Sequence, residues 1–142
     1  MLIGIELGSP HINYSESDKS SPPQPVVING THALATTYVG NGTLNGIPVT
    51  DTGTAYLVSK GNDSVYTFGK GALMSNDGMG TSIYTFQAVG HYHQDGKLYD
   101  TGLVFGSNPT GNLSFLSNTV GIYKDWYDKS GNGMTKMWFW TG

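Results

Sequence analysis

The sequence predicts an all-β domain, an antiparallel up-and-down β-barrel of about eight strands, with a two-sheet β-sandwich as the alternative. Three observations carry that prediction. Apolar and polar residues alternate with a period of two along most of the chain, turn residues cut the alternation at regular intervals, and no segment keeps a helical period beyond about two turns. Glycine, at 21 of 142 residues, is well above its usual share and occurs with Tyr, Thr and Asn, a composition of strands and turns.

In chain order, residues 1–7 form a short apolar segment, and residues 8–25 read as a linker because they are Ser-rich, hold four of the six prolines and show no periodicity. The division expected is therefore an N-terminal strand plus linker over 1–25 and a barrel domain over 26–142. Strands are expected at 33–39 (running on through Gly40-Asn41-Gly42 to 49 in a longer version), 54–59, 65–74, 80–93, 97–106, 113–116, 120–127 and 135–140. The clearest is 80–93, which puts Tyr84, Phe86, Ala88 and Tyr92 on one face and Ile83, Gln87, Val89, His91 and His93 on the other. Asp95-Gly96 then turns the chain back. Thr50-Asp51-Thr52-Gly53, Gly61-Asn62-Asp63, Asn76-Asp77-Gly78, residues 107–111 and residues 129–133 supply the other turns. Both faces of several strands carry apolar groups, as at Tyr66/Val65 and Trp138/Met137, so part of the outer surface is expected to be covered by another chain, by glycan or by the N-terminal segment.

Charge and residue usage narrow the function classes. Seven lysines, no arginine and ten acids give a net charge of −3, which lacks the basic stripe that a nucleic-acid partner requires. Cysteine is absent, so thiolate nucleophiles and Cys-ligated zinc are absent too. No apolar run reaches the ~18 residues of a membrane span. Five of ten asparagines, Asn13, Asn29, Asn41, Asn62 and Asn112, open an Asn-X-Ser/Thr sequon. That excess favours an extracellular or cell-surface protein with N-linked glycans, against the reading that Asn-Gly-Thr is turn chemistry alone.

Chemistry-bearing groups are few. His91 and His93, two apart on a strand, point the same way and are the candidate metal ligands, with Asp95, Asp100 or His32 as possible third partners. The pair resembles the His-X-His of cupins, although the glutamate that follows it in that family is replaced here by Gln94-Asp95-Gly96-Lys97. Asp125, among Tyr123, Trp126 and Tyr127, is the one candidate for a perturbed carboxylate, and its competing reading is an outward residue partnered by Lys124 or Lys136. No nucleophile motif is present, and no catalytic residue or cofactor is expected.

An apolar strand, a Pro/Ser-rich linker and a β-domain in that order resemble the layout of strand-exchange pilus and filament subunits. The resemblance implies a structural protein that assembles with itself, Leu2, Ile3, Ile5 and Leu7 forming the donated strand on a neighbour's sheet edge. An extended linker of 18 residues reaches up to ~60 Å, which permits the exchange. The barrel is also similar to calycin and avidin barrels, which implies a pocket for a small ligand lined by the aromatic residues. An enzyme on such a barrel, in the manner of allene oxide cyclases or dirigent proteins, is the third expectation.

Overall fold

The computed structural model describes residues 8–141, in which nine strands form a single antiparallel sheet. They are β1 (Ile12–Ser20), β2 (Gln24–Ile28), β3 (Thr31–Leu44), β4 (Ile47–Gly61), β5 (Ser64–Ser75), β6 (Thr81–Tyr92), β7 (Leu98–Ser107), β8 (Thr119–Tyr127) and β9 (Asn132–Thr141). Neighbours follow the order β1-β9-β8-β7-β6-β5-β4-β3-β2, and β1 pairs in addition with β3. Strand β1 and strands β3 to β9 thus close an eight-stranded up-and-down barrel, and β2 adds a ninth strand along the first part of β3. Short turns set the register. Asn29-Gly30 and Asn45-Gly46 have positive φ at both residues, the conformation whose twist matches a two-residue hairpin.

Three expectations need correction. Residues 12–20, expected as linker, are β1, paired to β9 from Ile12 to Lys19 and to β3 from Tyr14 to Ser20, so the strand lies within the barrel rather than ahead of it. Periodicity is present there, but the side chains turned inward are Tyr14, Glu16 and Asp18, and a search for apolar alternation passes over buried acids. Thr50-Asp51-Thr52-Gly53, expected as a turn, lies in the middle of β4 for the same reason, with Asp51 buried. Residues 113–116, expected as a strand, fall in a 3-10 helix, Gly111–Leu116, whose Leu113 and Leu116 both face the core. Spacing of three residues brings two side chains to one side of a 3-10 turn, and a run this short cannot separate that from a strand.

The two ends of the barrel differ. At the end where β3 turns into β4, Tyr14, Leu44, Val49, Leu73, Val104 and Phe139 pack together, and Leu113 and Leu116 of the 3-10 helix close over them. Leu44, Val49 and Leu113 are 0% exposed, so this end is a solid plug. The opposite end, where β1, β4, β6 and β8 finish, is open. On the outside, Ile83, Leu103, Phe105 and Val120 stand exposed on β6 to β8.

Candidate functional site: the acid-lined interior

Glycines within the strands make room for large inward side chains. Across the sheet Tyr38, Gly53, Gly71 and Tyr84 are successive partners on β3, β4, β5 and β6. A Cβ at Gly53 would stand 2.5 Å from Cζ of Tyr38, and one at Gly71 would stand 2.5 Å from Cζ of Tyr84. Each ring therefore lies over the neighbouring glycine, and the two hydroxyls meet in a hydrogen bond between the rings. Tyr84 Oη also lies 2.5 Å from Asp51 Oδ1, to which it donates, giving a chain from Tyr38 through Tyr84 to Asp51.

Carboxyls fill the neighbouring rows. Asp18 and Asp51 both pair with Gly40, which lies between them, and a Cβ there would stand 2.8 Å from Cδ of Glu16. Glu16 pairs with Thr135, Thr135 with Asp125, and Asp125 with Asp100, so the second row runs from β1 across β9 and β8 to β7. Thr135 Oγ1 donates to Asp18 Oδ2 over 2.5 Å. Five acids thus point into one interior. Glu16 is 3% exposed and Asp51 1%.

Their environment disfavours charge. Burial, and then the negative charge of Asp51, push the Glu16 carboxyl far above the carboxylate range. Burial raises Asp51 to about 6, with hydrogen bonds from Glu16 and Tyr84 holding it from going higher. Asp18 and Asp100 are raised by burial, and Asp125 is raised well above its ordinary value by burial and by the charge of Asp100. Two carboxyls in contact cannot both be ionised cheaply, so Glu16 shares protons with Asp18 and Asp51, and Asp100 with Asp125. Burial also holds the Tyr38, Tyr84, Tyr123 and Tyr127 phenols protonated.

Around these groups the open half encloses a cavity of about 320 Å³. Its mouth is framed by Ser21, Pro22 and Pro23, by Gly96, and by the turn Asp128–Gly131, while Ala55, Leu57, Phe86 and Leu98 give it apolar walls. Of the seven lysines only Lys129 borders it, at the mouth, where its side chain passes over Gly96. Thr67, on β5 and 6% exposed, has a hydroxyl with no hydrogen-bond partner among the described residues.

Of the residues singled out from sequence, Asp125 belongs to this interior, turned inward beside Asp100 and away from Lys124 and Lys136. Glu16, Asp18 and Asp51 were missed. The usable signal was the alternation Tyr14, Glu16, Asp18 on β1, set against strands rich in glycine. His91 and His93 sit outside the barrel at the end of β6, where Ser64 Oγ lies 3.2 Å from His91 Nδ1 and the His93 ring lies 4.2 Å from that of Tyr99. Asp100 points away from them into the interior. Among the described residues no three His, Asp or Glu side chains come together in a set that could hold a metal ion. Asn13, Asn29, Asn41 and Asn62 are exposed. Asn112 is half-buried, and its Nδ2 donates to Asp77 Oδ2 over 3.2 Å while its Oδ1 lies under Gly80. Leu2, Ile3, Ile5 and Leu7 lie outside the described residues.

No known protein-family profile matches the sequence, and no curated protein matches it. Among solved structures it is similar to a protein of unknown function from Clostridium acetobutylicum ATCC 824, with a TM-score of 0.74 and 8% identity over 92% of this chain and 98% of that one. At that identity the likeness is one of fold.

Proposed function

We propose that the chain is a small-ligand-binding β-barrel whose site is the open half of the interior. The observation that carries this reading is the asymmetry of the core: one end is packed solid, and at the other the described residues leave about 320 Å³ unfilled behind a defined mouth. Eight-stranded barrels of this size either fill themselves with side chains or hold one small ligand, and pockets of a few hundred Å³ with apolar walls and a few polar groups suit the second. The test is a thermal-shift screen of chemically diverse small molecules against the wild type and Ala55→Leu, which projects new methyl groups into the cavity. Compounds that raise the melting temperature of the wild type and leave a folded Ala55→Leu unmoved are the expected result. A screen with no stabilising compound, or equal shifts in both proteins, would overturn the reading.

Self-assembly by strand donation is the second reading, and two features favour it. Among the described residues the outer edge of β2 has no partner strand, and apolar side chains stand exposed on β6 to β8. Leu2, Ile3, Ile5 and Leu7 would supply the donated strand to that edge of a neighbour. Light scattering on the full chain and on a chain lacking residues 1–7 tests this: assembly should be lost with the segment, and an unchanged oligomeric state would remove the reading.

A further inference from the structure

Among the described residues no cation answers the interior acids. Five carboxyls face a cavity bordered by a single lysine at its mouth, and no arginine exists in the chain. Among the described residues both carboxyl oxygens of Glu16, Oδ1 of Asp100 and Oδ1 of Asp125 lack a donor other than a proton shared between acids. On β5, next to the strand that carries Asp51, the Thr67 hydroxyl, more than nine-tenths buried, also lacks a partner among the described residues. Buried polar groups are costly unless something bonds them, so an interior that keeps so many open acceptors is suited to a ligand that brings donors and positive charge.

Resting on the ligand-binding reading above, we propose that the interior is a site for a small organic ammonium ion, a primary amine or diamine. Its N–H groups would sit among Glu16, Asp18 and Asp51, and its hydrocarbon part against Leu57, Phe86 and Leu98. An ammonium offers three donors and no acceptor, the complement of the open carboxyl oxygens. A neutral polyol would bring acceptors of its own and no positive charge to replace the shared protons. A metal ion requires several ligands converging on one point, and no such set of His, Asp or Glu occurs among the described residues. Aromatic faces at Phe86 and Tyr123 lie on the cavity wall, where they can attract a cation. In the empty barrel, protons shared between acids take the place of that charge. Binding must therefore expel protons, and affinity must rise with pH. The groups facing Asp51 are Tyr14, Glu16 and Asp18 from β1, Tyr38 from β3 and Tyr84 from β6, all acids or phenols, so none offsets this direction.

Isothermal titration calorimetry with 1,4-diaminobutane, n-butylamine and the neutral control 1,4-butanediol tests the assignment. The amines should bind at about pH 7.5 with an apparent heat that changes with the ionisation enthalpy of the buffer, and at least about tenfold more weakly at about pH 5. The diol should bind at least about tenfold more weakly than the diamine, and Asp51→Asn should lose about tenfold or more in amine affinity. Removing a carboxylate from a crowded acid cluster does not threaten the fold, and Glu16→Gln provides a second variant with the same expected loss. Diol binding equal to that of the diamine, amine affinity independent of pH, or full amine affinity in both variants would overturn the proposal. Neutral compounds that bind wild type but not Ala55→Leu, with no amine binding, would overturn the ammonium assignment while leaving the ligand-binding barrel intact. Amine binding retained in Ala55→Leu would place the cation outside the cavity and defeat both.

Discussion

Asp51 ties the stability of the barrel to pH. Its folded-state value of about 6 stands above the ordinary carboxylate value of 3.8, so between those limits the folded chain holds a proton that the unfolded chain has released. The free energy of unfolding contributed by this group therefore falls as pH rises from about 4 through about 6, by roughly 3 kcal/mol in total, and is flat above. Glu16, Asp18, Asp100 and Asp125 are shifted in the same direction and add the same sign. Urea unfolding across this range should show the intact protein most stable on the acid side. Asp51→Asn, which keeps an acceptor for the Tyr84 hydroxyl, should flatten the profile and be the more stable protein at neutral pH. A wild-type profile that is level or rises from pH 4 to 7 would contradict the buried acid cluster.

Individual elements divide the work between closing the barrel and leaving it open. The 3-10 helix Gly111–Leu116 closes one end through Leu113, which is 0% exposed, and Leu116, which is 4% exposed. Leu113→Ala removes a fully buried side chain at a site held on all sides, and should cost about 2–5 kcal/mol. A melting temperature within a degree or so of wild type would show that the helix is not seated in the core. Strand β1 joins β9 to β3, and it does so with polar residues on both faces: Glu16 and Asp18 inward, Ser15, Ser17 and Lys19 outward. Its stability comes from two full hydrogen-bonded edges rather than from apolar burial, which is why its side chains reveal so little of its place in the sheet.

For the whole molecule, closure depends on that one strand. A chain lacking residues 1–7 should keep a β-rich far-UV spectrum and a cooperative unfolding transition, because those residues precede β1. A chain lacking residues 1–25 loses β1 and the start of β2, exposes the edges of β3 and β9, and should fail to fold or should aggregate. Circular dichroism and light scattering on the two truncations check this. Equal stability of both would mean that the barrel closes without β1.

Class, up-and-down order and most of the hairpins were legible in the sequence, because alternation and turn chemistry are local properties. Gly61-Asn62-Asp63, Asn76-Asp77-Gly78 and Asp95-Gly96 reverse the chain by local turn chemistry, whereas Asn29-Gly30 and Asn45-Gly46 were passed over, and Tyr84, Phe86 and Ala88 share a face by parity alone. The candidate site was legible only at Asp125, through its aromatic neighbours. Glu16, Asp18 and Asp51 read as linker and turn residues, since local rules place acids in water, and only the alternation Tyr14, Glu16, Asp18 points the other way. Tertiary structure decided their burial. Strand β1 meets β3 across 18 to 30 residues (Ser20↔Tyr38 to Tyr14↔Leu44) and β9 across 113 to 127 (Lys19↔Asn132 to Ile12↔Phe139), and only that closure turns three separate acids into one interior, with Gly40 leaving the space between them. Ring closure is a property of the whole sheet, so the cavity has no signature in any single segment.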